Sequence, residues 1–315
     1  MTNTLSRRGF VSTIAACLPG ALFSDAGSLF ANDHYSMQDE RLFSISLAQW
    51  SLHRALNAGE LDARDFAKTA RRDFGIDAVE YVNTFFKHSA EDRAYLRELE
   101  SRAADHGVRS LLIMIDDEGA IGDPDEFERT RAIENHYKWV EAARYLGCHS
   151  IRVNALSRGA PAVQHELVVD GLRRLTEFAA ERSVNVAVEN HSGLSSDGAW
   201  LVKVIKAVGH PRCGTLPDFG NFQIARGVMY DRYLGVAELM PYAKAVSAKS
   251  NDFDDLGRER HTDFTRMIEI VLDAGYRGYI GIEYEGDKLS EREGILTTKR
   301  LLERVRSELA PRYLP

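Results

Sequence analysis

An eightfold repetition constrains the fold more than any other feature of the chain. From about Leu42 onward, a short apolar run, a polar turn and an amphipathic helical stretch follow one another eight times. Short apolar runs without polar alternation read as strands buried on both faces, the kind that parallel sheets use. The expected strands are Phe43 to Leu52, Ala78 to Val82, Ser110 to Ile115, Ser150 to Asn154, Val184 to His191, Gly214 to Asp218, Lys244 to Lys249 and Tyr279 to Tyr284. Between them, helices are expected after Asp62, from Glu91 to His106, from Asp125 to Leu146, from Gln164 to Arg182, after Ser196, near Tyr230 to Met240 and from Asp263 to Ala274, with a closing helix from Ser290 to Leu309. Acidic caps open several of them, and Gly75, Gly107 and Gly147 stand where helices should stop. Eight such units in about 275 residues point to a single (β/α)8 barrel spanning residues 40–315. No Gly-x-Gly-x-x-Gly follows the first strand, which disfavours an open dinucleotide-binding sheet.

Composition narrows the function. With 44% hydrophobic residues the chain has ample material for a core, and its net charge of −7 comes without a basic run. No nucleic-acid partner is therefore expected. Cys17, Cys148 and Cys213 form neither a disulfide framework nor a zinc motif. Nothing in the sequence sets the oligomeric state, and a homo-oligomer is compatible with it.

The first 31 residues read as an address. Ser6-Arg7-Arg8-Gly9-Phe10-Val11 resembles a twin-arginine export signal, and the apolar stretch from Phe10 to Phe23 is too short for a membrane span, which needs about 20 apolar residues. Cleavage after Ala26 or Ala31 would leave an exported, periplasmic protein without a transmembrane span. Ile14-Ala15-Ala16-Cys17 also resembles a lipobox, which would instead anchor the protein by lipid at Cys17.

The chemistry gathers at strand ends. In (β/α)8 barrels, active sites lie at the C-terminal ends of the strands. Glu189, Asp218 and Glu283 close the fifth, sixth and eighth strands, so their side chains should converge near the barrel axis. For any one acid a solvated surface position is the default. Three carboxylates together would repel one another, and a divalent cation removes that cost. All-oxygen ligation favours Mg2+ or Mn2+, with Zn2+ and Co2+ as second choices. His191 should share a face with Glu189, and is expected as a fourth ligand or a substrate contact. Glu80, Arg152, Asn154 and Trp50 are further candidates for lining a substrate pocket, each weighed against a structural role. Glu285 competes with Glu283 for the ligand role, Phe85, Phe86 and His88 could form a lid, and His261 reads as solvated.

Val188-Glu189-Asn190-His191, Pro217-Asp218-Phe219-Gly220-Asn221, Ala248-Lys249-Ser250 and Gly275-Tyr276-x-Gly278-Tyr279-x-Gly281-x-Glu283 resemble the sugar phosphate isomerase/epimerase family of xylose isomerase-like barrels. The resemblance covers about residues 42–309. It implies Glu189, Asp218 and Glu283 as metal ligands, and Glu189 and Glu283 also as the acid/base pair. Many relatives carry a histidine ligand where Ser247 stands, and ketose 3-epimerases tend to have a substrate-contacting histidine where Asn221 stands.

The expected activity is a metal-dependent isomerase or epimerase that moves a proton on a sugar, keto-sugar or related polyol through an enediolate. Lys249 could hold the developing oxyanion, or form a salt bridge at the barrel rim. A lyase or dehydratase on the same scaffold is the alternative, since elimination starts from the same enediolate. A non-catalytic sugar-binding barrel is a further reading. A repair endonuclease is disfavoured because histidines are lacking at most strand ends.

Overall fold

The computed structural model describes residues 42–314. The leader and lipobox expected within residues 1–31 lie outside the described residues.

Eight strands pair in parallel into one curled sheet: β1 (Ser44–Ala48), β2 (Ala78–Val82), β3 (Arg109–Met114), β4 (Ser150–Asn154), β5 (Asn185–Glu189), β6 (Cys213–Leu216), β9 (Val246–Ser250) and β10 (Tyr279–Tyr284). A hairpin of β7 (Gln223–Ala225) and β8 (Val228–Met229) stands apart from it. The order β6-β5-β4-β3-β2-β1-β10-β9 leaves β6 and β9 to close the barrel. They do so sparsely, through single bridges Thr215–Ala243 and Asp218–Ser247 and the bonds Ser247 N to Pro217 O (2.9 Å) and Phe219 N to Ser247 O (3.1 Å). Pro217 has no N–H to extend a ladder there. The seam therefore sets Asp218 directly beside Ser247.

Side-chain alternation divides the core in two. On β5, Val186 and Val188 join the large apolar layer between sheet and helices. Ala187 points inward, with Ala48, Val82, Leu112, Met114, Leu216 and Ala245, and these fill the barrel interior. Glu189, two residues past Ala187, stands above this plug. The interior layer also holds Gly281, paired with Ser46 on one side and Ser247 on the other. A Cβ on Gly281 would lie 2.6 Å from Glu80 Oε1, so glycine here makes room for a buried acid.

Caps follow the expected pattern. Asp125 accepts from Phe127 N and Glu128 N, Asp263 accepts from Arg266 N, and Gly75 ends its helix at φ 64°. Two local differences matter. The first strand stops at Ala48, and Gln49–Leu52 form a 3-10 turn, because the Gln49 carboxamide accepts the Val82 N–H (2.9 Å) that an extended strand would have taken. The loop expected after the sixth strand contains the β7–β8 hairpin. Among the described residues, no helix is long and apolar enough to cross a membrane.

Candidate active site

Glu189, Asp218 and Glu283 are each at most 4% exposed, and each offers an oxygen lying within 4.8 Å of those of the other two. Glu189 ends β5, Asp218 follows β6 across the seam, and Glu283 stands in β10 opposite Lys249 of β9. These three expected ligands do meet.

Backbone and side-chain donors lock the cluster. Asp218 Oδ1 accepts from Gly220 N and Asn221 N, both at 2.8 Å. The Asn190 carboxamide clamps the same turn, accepting from Asp218 N (2.8 Å) and donating to Asp218 O (3.0 Å) and Asn221 O (3.1 Å). Asn221 Nδ2 donates to Glu189 Oε1 at 3.0 Å. Ser247 Oγ lies 2.8 Å from Asp218 Oδ2 and 3.0 Å from Glu283 Oε2. One hydroxyl proton serves only one of these oxygens.

Two cations face the acids. Arg152 Nη1 donates to Asp116 Oδ1 at 2.7 Å, and Asn154 Nδ2 donates to the same oxygen at 2.8 Å. Arg152 Nε lies 2.9 Å from Glu189 Oε2, yet its N–H is misaligned, and neither atom has a hydrogen-bond partner. The pair is thus electrostatic, and Glu189 Oε2 remains an unpartnered, fully buried acceptor. Lys249 Nζ sits 3.1 Å from Glu283 Oε1, 3.2 Å from Glu285 Oε1 and 3.9 Å from Asp218 Oδ2.

This charge pattern separates the two glutamates. Burial pushes Glu189 up to about 7, against the pull of Arg152. Burial likewise pushes Asp218 up to about 7, against Lys249. Burial acts on Glu283 too, but the charges of Lys249 and Arg152 and hydrogen bonds from Lys249 and Ser247 outweigh it, and its carboxyl sits below the usual range. Without a metal, the two glutamates thus sit in oppositely biased environments.

Glu80 is a fourth interior acid, 1% exposed, accepting from Ser46 Oγ at 2.6 Å while its Oε2 has no partner. Burial raises it from 4.5 to about 7. Its folded value thus exceeds its unfolded one. Stability that is fully present below pH 4.5 is therefore lost as the pH rises to about 7, and the loss levels off above that. The shift corresponds to about 3 kcal/mol. Glu80→Gln should match the wild type near pH 4 and be about 3 kcal/mol more stable near pH 8, read by urea unfolding. Parallel pH profiles for the two proteins would refute this.

The other candidates divide. Arg152 and Asn154 join the cluster's edge, and Asn154 Oδ1 is buried without a partner. Trp50 stacks on His53 (5.0 Å), approaches Phe85 (5.9 Å) and packs with Phe85 on the interior plug. His191 is exposed and is not among the three clustered ligands. It lies two residues past the end of β5, close enough to Arg152, Lys249, Asp116 and Asp218 for their charges to act on it, and desolvation holds its imidazole below the usual range. Phe86 is 5% exposed and packs edge-on against Trp139 at 5.2 Å, a core position and not a lid. His88 and His261 are exposed. Asp116, Asn83, Asn190 and Gln49 were not anticipated. Asn83 holds Asp116 in place, donating to its carbonyl and accepting its N–H, both at 2.9 Å. Asp116 follows the third strand and obeys the strand-end rule that found Glu189, but Asp116-Asp117-Glu118 reads as a solvated acidic turn.

A sequence profile described as xylose isomerase-like TIM barrel matches residues 68–306. The chain belongs to that family. Among solved structures, a D-tagatose 3-epimerase-like protein aligns at TM-score 0.67 and 17% identity, over 87% of this chain and 100% of the other. A xylose isomerase-like TIM barrel protein from Mycobacterium smegmatis, in complex with magnesium, aligns at 0.64 and 18%, over 85% and 98%. An IOLI protein with a bound zinc atom aligns at 0.66 and 14%, over 84% and 99%. At these identities the likeness establishes the fold. No curated protein matches by sequence.

For this family member the donor set itself supports a metal. Four interior acids, Glu80, Glu189, Asp218 and Glu283, face the two buried cations Arg152 and Lys249. The three clustered carboxylates offer hard oxygens, and Glu189 Oε2 lacks a partner. A divalent ion fits this deficit of positive charge.

Proposed function

We propose that the protein is a metal-dependent isomerase or epimerase that moves a proton on a sugar, keto-sugar or related polyol through an enediolate. The observation that carries this is the convergence of three buried carboxylates, Glu189, Asp218 and Glu283, at the C-terminal mouth of the barrel. The D-tagatose 3-epimerase-like relative lends support to the substrate class. The resemblance of residues 6–11 to a twin-arginine signal supports a location outside the cytoplasm, which favours neutral sugars over sugar phosphates.

A divalent ion held by Glu189, Asp218 and Glu283, Mn2+ or Mg2+ by its oxygen ligands, would supply Lewis-acid polarisation of the substrate oxygens. The chain's own residues do the rest. Glu283 accepts the proton from carbon. Glu189 returns one from its own side. Asn221 fixes the Glu189 carboxyl, and the Gly220 and Asn221 amides fix Asp218. The Lys249 ammonium, between Glu283 and Glu285, adds positive charge on the side of the site where oxyanion charge would develop. Trp50 and Phe85 offer an apolar wall to a sugar ring.

The test is exchange with solvent. Purified protein with Mn2+ and a panel of keto-sugars in D2O should place deuterium on substrate carbon. No exchange across a broad panel, with metal bound, would overturn the proposal, and loss of water from the substrate would reassign the protein as a lyase. Metal should also stabilise the fold. At about 100 times the dissociation constant, Mn2+ should add about 2.7 kcal/mol to the chelator-stripped protein, a rise in Tm of roughly 5–10 °C. An unchanged melting curve would speak against a resident ion.

A further inference from the structure

The carboxylate cluster already contains a cation, and it belongs to the chain. Lys249 is 5% exposed, with Nζ 3.1 Å from Glu283 Oε1 and 3.9 Å from Asp218 Oδ2, both residues of the proposed metal set. Two features let it reach so far in. Ser247, two residues earlier on the same face of β9, is small: its hydroxyl reaches Asp218 Oδ2 and Glu283 Oε2, and the ammonium takes the other Glu283 oxygen, Oε1. Gly220 leaves room for the stem: a Cβ there would lie 3.1 Å from Lys249 Cδ and 3.2 Å from Cγ.

An ammonium and a divalent ion cannot both rest against the same oxygens without strong like-charge repulsion. The ammonium has a second partner available. Glu285 Oε1 is 3.2 Å from Nζ, its side chain is 30% exposed, and it is not among the three clustered ligands.

We propose that Lys249 is a tethered competitor of the metal: its ammonium fills the cation position beside Glu283 and Asp218, and withdraws onto Glu285 when a divalent ion enters. Glu285 is then a positioning residue that sets metal affinity through Lys249 without ligating. Without metal, the ammonium keeps the buried carboxylates compensated. The inference rests on the metal reading proposed above and adds its regulation.

Calorimetric titration with Mn2+ tests it on the wild type, Lys249→Met, Glu285→Gln, the double variant and Glu189→Gln. Removing the competitor should tighten Mn2+ by about tenfold or more, and Glu285→Gln should weaken it about fivefold, by taking away the ammonium's alternative partner. In the Lys249→Met background the Glu285→Gln change should have almost no effect, since there is no ammonium left to hold. Should Lys249→Met fail to fold, Lys249→Gln carries the same expectation with a neutral group that still hydrogen-bonds Glu283. Unchanged or weaker binding on removal of the ammonium would overturn the proposal, as would a Glu285→Gln effect of equal size in both backgrounds. If those results appear while Glu189→Gln abolishes Mn2+ binding, the metal site stands and only the competitor falls. If neither the wild type nor the lysine variants bind Mn2+, the metal reading fails and takes this inference with it.

Discussion

Glu189→Gln should lower the rate of proton exchange by about a thousandfold, within the range general acid/base groups contribute. Glutamine keeps the shape, and its carbonyl can still accept the Asn221 Nδ2 hydrogen bond that Glu189 Oε1 accepts at 3.0 Å. What it loses is the proton and the charge. The fold should tolerate the change, because burial already penalises the ionised form of Glu189 and holds it up to about 7. Thermal unfolding of the metal-stripped proteins near pH 8 should therefore be unchanged or slightly later, while exchange with Mn2+ present collapses. A variant that folds and keeps more than about a tenth of the wild-type exchange rate would remove Glu189 from the chemistry.

Arg152→Met should instead strike the fold. Arg152 is 4% exposed and stands between Glu189 and Asp116, donating to Asp116 Oδ1 at 2.7 Å and lying 2.9 Å from Glu189 Oε2. Its charge pulls against the burial of Glu189 and, with Asn154, holds Asp116 below the usual carboxylate range despite burial. Methionine fills much of the volume but leaves both acids uncompensated. Breaking a buried pair by removing one partner costs about 3–5 kcal/mol. A fall in Tm of roughly 10 °C is expected for a domain of this size. Arg152→Lys should recover only part of it, because an ammonium cannot reach both carboxylates as the guanidinium does. A loss below about 1 kcal/mol would show that the pair does little to hold this end of the barrel.

Much of this arrangement was legible in the sequence, for local reasons. A buried parallel strand has to be apolar along its length, so Val184 to Val188 announces itself, and a charged residue at its tip stands out. The same contrast exposes Asp218 after Cys213–Leu216 and Glu283 in Tyr279–Tyr284. Glycine stops and acidic caps mark helices because each satisfies backbone groups nearby in sequence. What escaped depends on residues far apart. The strand at Phe43 ends at Ala48 because a side chain 33 residues from Val82 captures its N–H. Asp116 matters only because Arg152 and Asn154, on the next strand, turn towards it. Asn190, just past the end of β5, clamps the Asp218 loop through contacts with residues about 30 positions away. Lys249 was seen as a rim or oxyanion residue, and its seat among the carboxylates depends on two small neighbours, Ser247 and Gly220, from different strands and loops.

Anomalous diffraction from crystals grown with Mn2+ tests the central claim most directly. A single strong peak bounded by the carboxyl groups of Glu189, Asp218 and Glu283, with the Lys249 ammonium turned to Glu285, is the predicted map. A map with no peak there at saturating Mn2+, and with Lys249 Nζ still seated against Glu283 and Asp218, would contradict it.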